Sequence, residues 1–260
     1  GFTLGSDAFV NGSSNQFAAW AWNAGTSTVT NNDGSIASQV RANPSAGFSI
    51  VTWTTTGSSG DYISVGHSLN ALPGLVVTKS TSVADDWYVA HGYDLTRFSK
   101  LNKTDDFSNA GNAWGDGITS SVIGFRIGNF TANNYTHVAY CFAPVEGYSA
   151  MGKYTGNGSA DGPFVFLGFR PAFLLLKDVS QGGGSWIIYD SQRDPSNLTN
   201  EALLADTSGA EVTFNSAVVD MLSNGFKLRG SDSWTNASGA TYIYLAFASY
   251  PFASNGGLAR

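Results

Sequence analysis

The feature that most constrains this chain is internal repetition. GFSIVTWTTTGSSGDYISVGHSLNALPGLVVTK runs over 47–79, and GYSAMGKYTGNGSADGPFVFLGFRPAFLLLK runs over 147–177. The openings Gly47 and Gly147 lie 100 residues apart, the closing Lys79 and Lys177 lie 98 apart, and Trp87 and Trp186 in the strands that follow lie 99 apart. Offsets this steady at three landmarks define a unit of about 100 residues. A second phrase closes each unit: GFRIGNFTANNYTHVAYCF over 124–142 and GFKLRGSDSWTNASGATYIYLAF over 225–247. It occurs a third time at the start, as GFTLGSDAFVNGSSNQFAAWAW over 1–22. Each copy reads as Gly-Phe-x-(Leu/Ile), a polar turn and an alternating aromatic strand, the pattern of a β-hairpin.

The domain plan that follows has four parts. Residues 1–24 are expected to be the C-terminal hairpin of an incomplete repeat, 25–46 a polar, extended linker with room for short strands, 47–145 one β-sandwich repeat, and 146–260 a second with a short tail. The first part implies either a missing upstream portion or a sheet completed by another route. A chain that opens on Gly1 is expected to be processed or excised, and no signal peptide is read in it.

Composition supports strands over helices. Glu occurs only at positions 146, 201 and 211, while Ser, Thr, Asn, Gly and aromatics abound. Runs such as FSIVTW, YISVGH and THVAYCF are short, β-branched or aromatic, and bounded by turn residues. The expected fold class is all-β: tandem antiparallel β-sandwiches, jelly-roll-like, with six or seven strands per unit. The best helix candidate is the short NEALLAD over 200–206.

Charge narrows the partners. Charged residues make up 12% of the chain against roughly 25% in typical soluble proteins. The net charge of −6 and the lack of a basic run disfavour nucleic acid. No apolar stretch approaches the roughly 20 residues needed to cross a bilayer, so membrane insertion is not expected. A hydrophobic content of 42% argues against disorder. The single Cys141 rules out an internal disulfide and reads as a small buried hydrophobe.

The chemistry-bearing residues give no strong catalytic or metal signature. His67, His91 and His137 have no metal-ligand spacing, and His67 aligns with Phe169 of the second unit. Asp85, Asp86, Asp105, Asp106 and Asp116, with Asp190, Asp194 and Asp206 in the second unit, could supply a glycosidase pair. Most sit beside Gly, Asn or Ser, where turn hydrogen bonding is the simpler role. GNGSADG over 156–162 lacks the ligand spacing of a calcium loop and reads as a hairpin turn. Trp87 and Trp186 are expected in cores, and Trp20 and Trp22 on one strand face, in a core or an interface. Trp114 and Trp234, in loop-like surroundings, are the candidates for exposed ligand contact. No catalytic residue, metal site or cofactor is assigned.

The phrases GSIASQVRANPSAGFSIVTW, AYCFAPVEGYSAMGKYTGNGSADGPFVFLGFRPAFLLLK and NASGATYIYLAFASYPF resemble a family of repeat-bearing structural proteins of tailed phages of marine bacteria, labelled tail-fibre or lectin/glucanase-like. The resemblance spans essentially the whole chain. The chain departs from the pattern in lacking the start of the first unit and in reading VGHSL over 65–69, where glycine commonly follows the histidine. The resemblance implies a virion location and a β-sandwich architecture, and by analogy with phage fibres a homo-oligomer. The expected function is that of a non-enzymatic structural component of a capsid or tail appendage, with other virion proteins as partners and attachment to a host-surface glycan as a compatible role. A carbohydrate-binding adhesin and a polysaccharide-degrading glycosidase are the alternatives.

Overall fold

The computed structural model describes residues 2–109, 113–115, 117–129, 133–180, 182 and 184–250. The first unit contains β1 (Val29–Asn31), β2 (Ser38–Asn43), β3 (Phe48–Thr54), β4 (Tyr62–Gly66), β5 (Leu75–Ser80), β6 (Tyr88–His91), β7 (Asp94–Lys100), β8 (Ser108–Asn109), β9 (Val122–Arg126) and β10 (Thr136–Phe142). The second contains β11 (Ser149–Thr155), β12 (Phe164–Phe166), β13 (Pro171–Asp178), β14 (Ile187–Asp190), β15 (Glu201–Leu204), β16 (Val212–Thr213), β17 (Val219–Leu222), β18 (Gly225–Leu228) and β19 (Thr241–Ala248). The two helices among the described residues, α1 (Ala8–Asn11) and α2 (Ser233–Asn236), are single turns.

Each unit is an antiparallel β-sandwich. In the first, a sheet in the order β1-β2-β3-β10-β5-β6-β7-β8 is covered by the two-stranded β4-β9 sheet. In the second, the order β11-β19-β13-β14-β15-β16 is covered by β12-β18-β17. The last long strand of each unit is therefore an interior one. β10 lies between β3 and β5, and β19 lies between β11 and β13. Entry and exit of a unit are also paired, Phe48 opposite Phe142 and Ser149 opposite Phe247.

Strand alternation sends side chains into three cores. Val51, Trp53, Val76, Ala139 and Cys141 point from the first large sheet toward Ile63, Val65, Ile123 and Phe125 of its cover. In the second unit Leu174, Leu176, Tyr242 and Ala246 meet Val219, Met221, Phe226 and Leu228. The intervening residues on the opposite faces, Phe48, Leu75, Val77 and Phe142 with Phe173, Leu175, Leu245 and Phe247, pack against one another across the units. Both faces of each large sheet are thus apolar, which explains the unbroken runs Leu75-Val76-Val77 and Phe173 to Leu176. No helix among the described residues is long and apolar enough to cross a membrane.

Within the connection 25–46, β2 pairs with β3 over five positions and extends the first sheet. Two expectations are corrected. Residues 200–206 are not helical. Ala202 is buried and 201–204 form β15, because pairing with β14 and β16 outweighs the helix propensity of Leu and Ala. Residues 2–24 hold no strand and contribute one turn of helix, with Trp20 and Trp22 inserted between the units.

Candidate functional site

A cavity of about 460 Å³ lies at the junction of the two units. It is lined from one side by Leu75, Trp87 and Tyr140, from the other by Leu175, Trp186 and Leu245, and is capped by Trp20 and Trp22. Its size falls within the range of ligand pockets, but its walls are almost wholly hydrocarbon. They suit apolar side chains or an apolar molecule and offer no cluster of polar groups for catalysis.

The tryptophans at the cavity are held by a device that each unit repeats. Lys79 Nζ donates to the Asp85 carbonyl and lies 5.4 Å from the Trp87 ring. Lys177 Nζ donates to the Gly184 carbonyl and lies 5.9 Å from the Trp186 ring. The backbone N–H of Trp87 donates to Asn102 Oδ1 at 2.9 Å, and that of Trp186 to Asp206 Oδ1 at 2.8 Å. The copies differ in reach. Lys177 also donates to the Thr104 carbonyl at 2.9 Å, and Trp186 Nε1 donates to the Lys100 carbonyl at 2.8 Å, so both cross to the first unit. Lys177 is fully buried, and burial lowers its pKa. Trp87 stays half-buried and stacks on Tyr140 of its own sheet.

The sequence-derived ligand candidates separate. Trp114 is a core residue, 2% exposed, with Nε1 donating to the Arg97 carbonyl at 2.9 Å and its ring against Phe125. The glycine-rich surroundings that suggested an open loop are a tight turn, with Gly115 at φ +51°, that folds the indole inward. Trp234 does reach solvent, being 38% exposed. It opens α2, where Asp232 accepts from its N–H at 2.9 Å, and its ring meets Phe214 edge-on at 5.4 Å.

The histidines are buried and occupied. Leu69 N–H donates to His67 Nδ1 and Tyr93 N–H donates to His91 Nδ1. Each ring must therefore carry its proton on Nε2, which donates to the Thr119 or Tyr244 carbonyl at 3.1 Å. His137 stacks on Trp53 at 5.2 Å. Burial lowers all three pKa values, to about 4 for His91 and His137. Among the described residues, no group of three His, Cys, Asp or Glu is placed to hold a metal. Burial pushes the Cys141 thiol up to about 12.

The carboxylates serve turns and ion pairs. Asp86 accepts from Asn102 and pairs with Lys100 at 3.0 Å and Lys103 at 2.9 Å, contacts that hold its carboxyl well below the usual range despite partial burial. Asp85 accepts from the Asp86 N–H, Asp105 pairs with Lys100, and Asp206 receives Ser185 and Trp186. Asp190 holds Arg193 at 2.6 Å, and Asp194 receives the N–H groups of Asn200 and Glu201. Asp106 is half-buried, and Asp116 lies outside the described residues. In 156–162, Asn157 receives the Ser159 N–H and Asp161 pairs with Lys227, the bonding of a turn.

Sequence reasoning missed the cavity and the two-faced sheets. The signal was present in the Leu75-Val76-Val77 run, where alternation stops.

No curated protein matches this chain. No solved structure matches it either. A family model does match, over residues 1–251, a span holding both sandwiches and the aromatic segment that joins them; the chain belongs to the family described as Domain of unknown function (DUF7483).

Proposed function

We propose that this chain is a non-enzymatic structural protein of a virus particle, part of a tail fibre, a head fibre or a capsid decoration, that contributes to attachment at the host surface. One observation carries the reading. Two copies of a 100-residue sandwich pack against each other through a third, aromatic core. That build suits a load-bearing surface component, and the resemblance of its phrases to phage repeat proteins points the same way. Other virion proteins and further copies of the chain are the expected partners. Cryo-electron microscopy of the source particle, with gold-labelled antibody to this chain, tests the reading. Label on the capsid or an appendage supports it; absence from purified particles overturns it.

A glycan-binding adhesin is the second reading, favoured by Trp234, an exposed indole beside Phe214 that offers a flat face for stacking on a sugar. A glycosidase has less support. Asp86 is held ionised by two lysines, whereas a general acid needs a raised pKa. Glu201 does have a raised pKa, but its cause is the neighbouring Glu211 carboxyl, not burial in a cleft.

A further inference from the structure

We infer that the second unit carries an acceptor edge for one added β-strand, and that its occupant is an extended segment of a partner polypeptide with an acidic residue opposite Lys153 and an apolar residue over Phe166. The inference holds whichever function the chain serves.

The first unit supplies the template. In β2, Arg41 and Gln39 pair with Ile50 and Thr52 on the outer edge of β3. The residues just ahead of β2 lie along β4. Ile36 N–H donates to the Ser64 carbonyl at 3.1 Å, Ser64 N–H donates to Ser35 Oγ at 2.8 Å, and Ser38 Oγ donates to the Gly66 carbonyl at 2.9 Å. One segment thus closes one side of the sandwich by bonding to both of its sheets. The fit is tight. A Cβ added at Gly34 would lie 2.3 Å from the Ser64 carbonyl oxygen, and one at Gly66 would lie 1.7 Å from Asn31 Oδ1. Val40, fully buried, fills the gap between the sheets.

The second unit repeats both edges without the segment. Met151 and Lys153 pair with Leu245 and Ile243, as Ile50 and Thr52 pair with Tyr140 and Val138. Phe166 faces Gly225 as Ser64 faces Gly124, the glycine of a Gly-Phe phrase in each case. No strand among the described residues takes the outer edge of β11 or of β12. Tyr148 and Gly156 bond across to Ala248 and Ala240, so by alternation Met151 and Lys153 turn their N–H and C=O groups outward. Pro163 and Leu167 bond to Leu228 and Asn224, so Phe164 and Phe166 do the same. Val145 exchanges both backbone bonds with Ser149, taking the place that Asn43 holds opposite Phe48, and marks where an added strand must stop. A Cβ added at Gly168, the counterpart of Gly66, meets nothing nearer than the Phe166 ring at 3.9 Å.

The side chains at these edges define the occupant. Lys153 is exposed where the first unit has Thr52 opposite Gln39, so charge complementarity places a carboxylate at the Gln39 position. Phe166 is 67% exposed where the first unit has Ser64 bonded to Ser35, so an apolar residue suits the Ser35 position. Tyr244 lies over Gly152, where an added Cβ would sit 2.6 Å from its hydroxyl. The gap that Val40 fills is thereby narrowed, and a small residue fits there. Backbone pairing would hold the segment, and these three positions would select it. A second copy's β11 does not fit, because two-fold pairing centred on the free groups sets Lys153 opposite Lys153, like charges that disfavour a ladder.

The test uses a synthetic peptide of residues 35–43 carrying Ser35→Phe, Gln39→Glu and Val40→Ala, added in millimolar excess to the full chain. Hydrogen exchange is read at Met151, Lys153 and Phe166. Exchange slowed about ten-fold or more at all three supports the inference, provided that Lys153→Glu in the chain abolishes the effect and a peptide with Gln39→Lys restores it. A chain with Phe166→Ser should in turn prefer a peptide that keeps Ser35. Unchanged exchange at the three residues overturns the inference. Equal protection by the Glu and Lys peptides, or protection of β3 in place of β11, also overturns it.

Discussion

Phe142 and Phe247 hold the same position in successive repeats, and their ring centroids lie 5.9 Å apart in an edge-to-face contact. Each lies at the C-terminal end of an interior strand of its sheet, and each points away from its own sandwich. The contact therefore belongs to neither unit.

Replacing either ring with alanine should cost about 3–5 kcal/mol, because a large buried aromatic leaves a cavity behind. A double-mutant cycle of Phe142→Ala and Phe247→Ala should return a coupling of roughly 0.5–1.5 kcal/mol. Urea unfolding followed by tryptophan fluorescence measures both. Additive effects would show that the two rings do not interact energetically.

The repeated glycines at the unit openings should respond differently to alanine. Gly47 has φ +61°, and an added Cβ would lie 2.2 Å from the Ala143 carbonyl oxygen. Gly147 has φ +73° and open space around it. Gly147→Ala should cost about 1 kcal/mol of backbone strain, and Gly47→Ala several times that. Thermal melts of the two variants compare them directly.

Stability should fall between pH 6.5 and pH 4. His91 and His137 titrate near 4 in the folded chain, because burial disfavours the imidazolium, against about 6.5 when unfolded. The unfolded state therefore binds more protons across this window, and stability present above pH 6.5 is lost as pH drops toward 4. The loss should approach roughly 3 kcal/mol per histidine. His137→Phe, which keeps a ring on Trp53, should flatten the profile measured by denaturant titration.

The two loop tryptophans should separate by an order of magnitude. Trp114→Ala removes a buried indole and should cost about 3–5 kcal/mol. Trp234→Ala should cost about 0.5 kcal/mol, in the range of surface changes. If the chain binds glycan through Trp234, the second variant alone should lose signal on a glycan array while keeping its melting temperature.

Fold class was legible in the sequence, because strand alternation is a local signal. The exposure of Trp234 was also legible, from the polar residues around it. Trp114 was not, since the turn through Gly115 reverses the direction its composition suggests. The strand at 201–204 was hidden by the helix propensity of Leu and Ala, which pairing with β14 and β16 outweighs. The hub was obscured for a different reason. Phe48, Leu75 and Phe142 read as core residues, and only the packed units show that they line a core shared between sandwiches.

The pairing of Phe48 with Phe142, and of Ser149 with Phe247, brings the polypeptide out of each unit where it went in. Each repeat thus spends about 100 residues of contour with almost no end-to-end advance. An array of such units grows in girth around a hub, not in reach along a shaft. Tension applied at the two ends of a unit would open its β-ladder rung by rung, so an assembly under mechanical load would depend on the hub to keep that ladder closed.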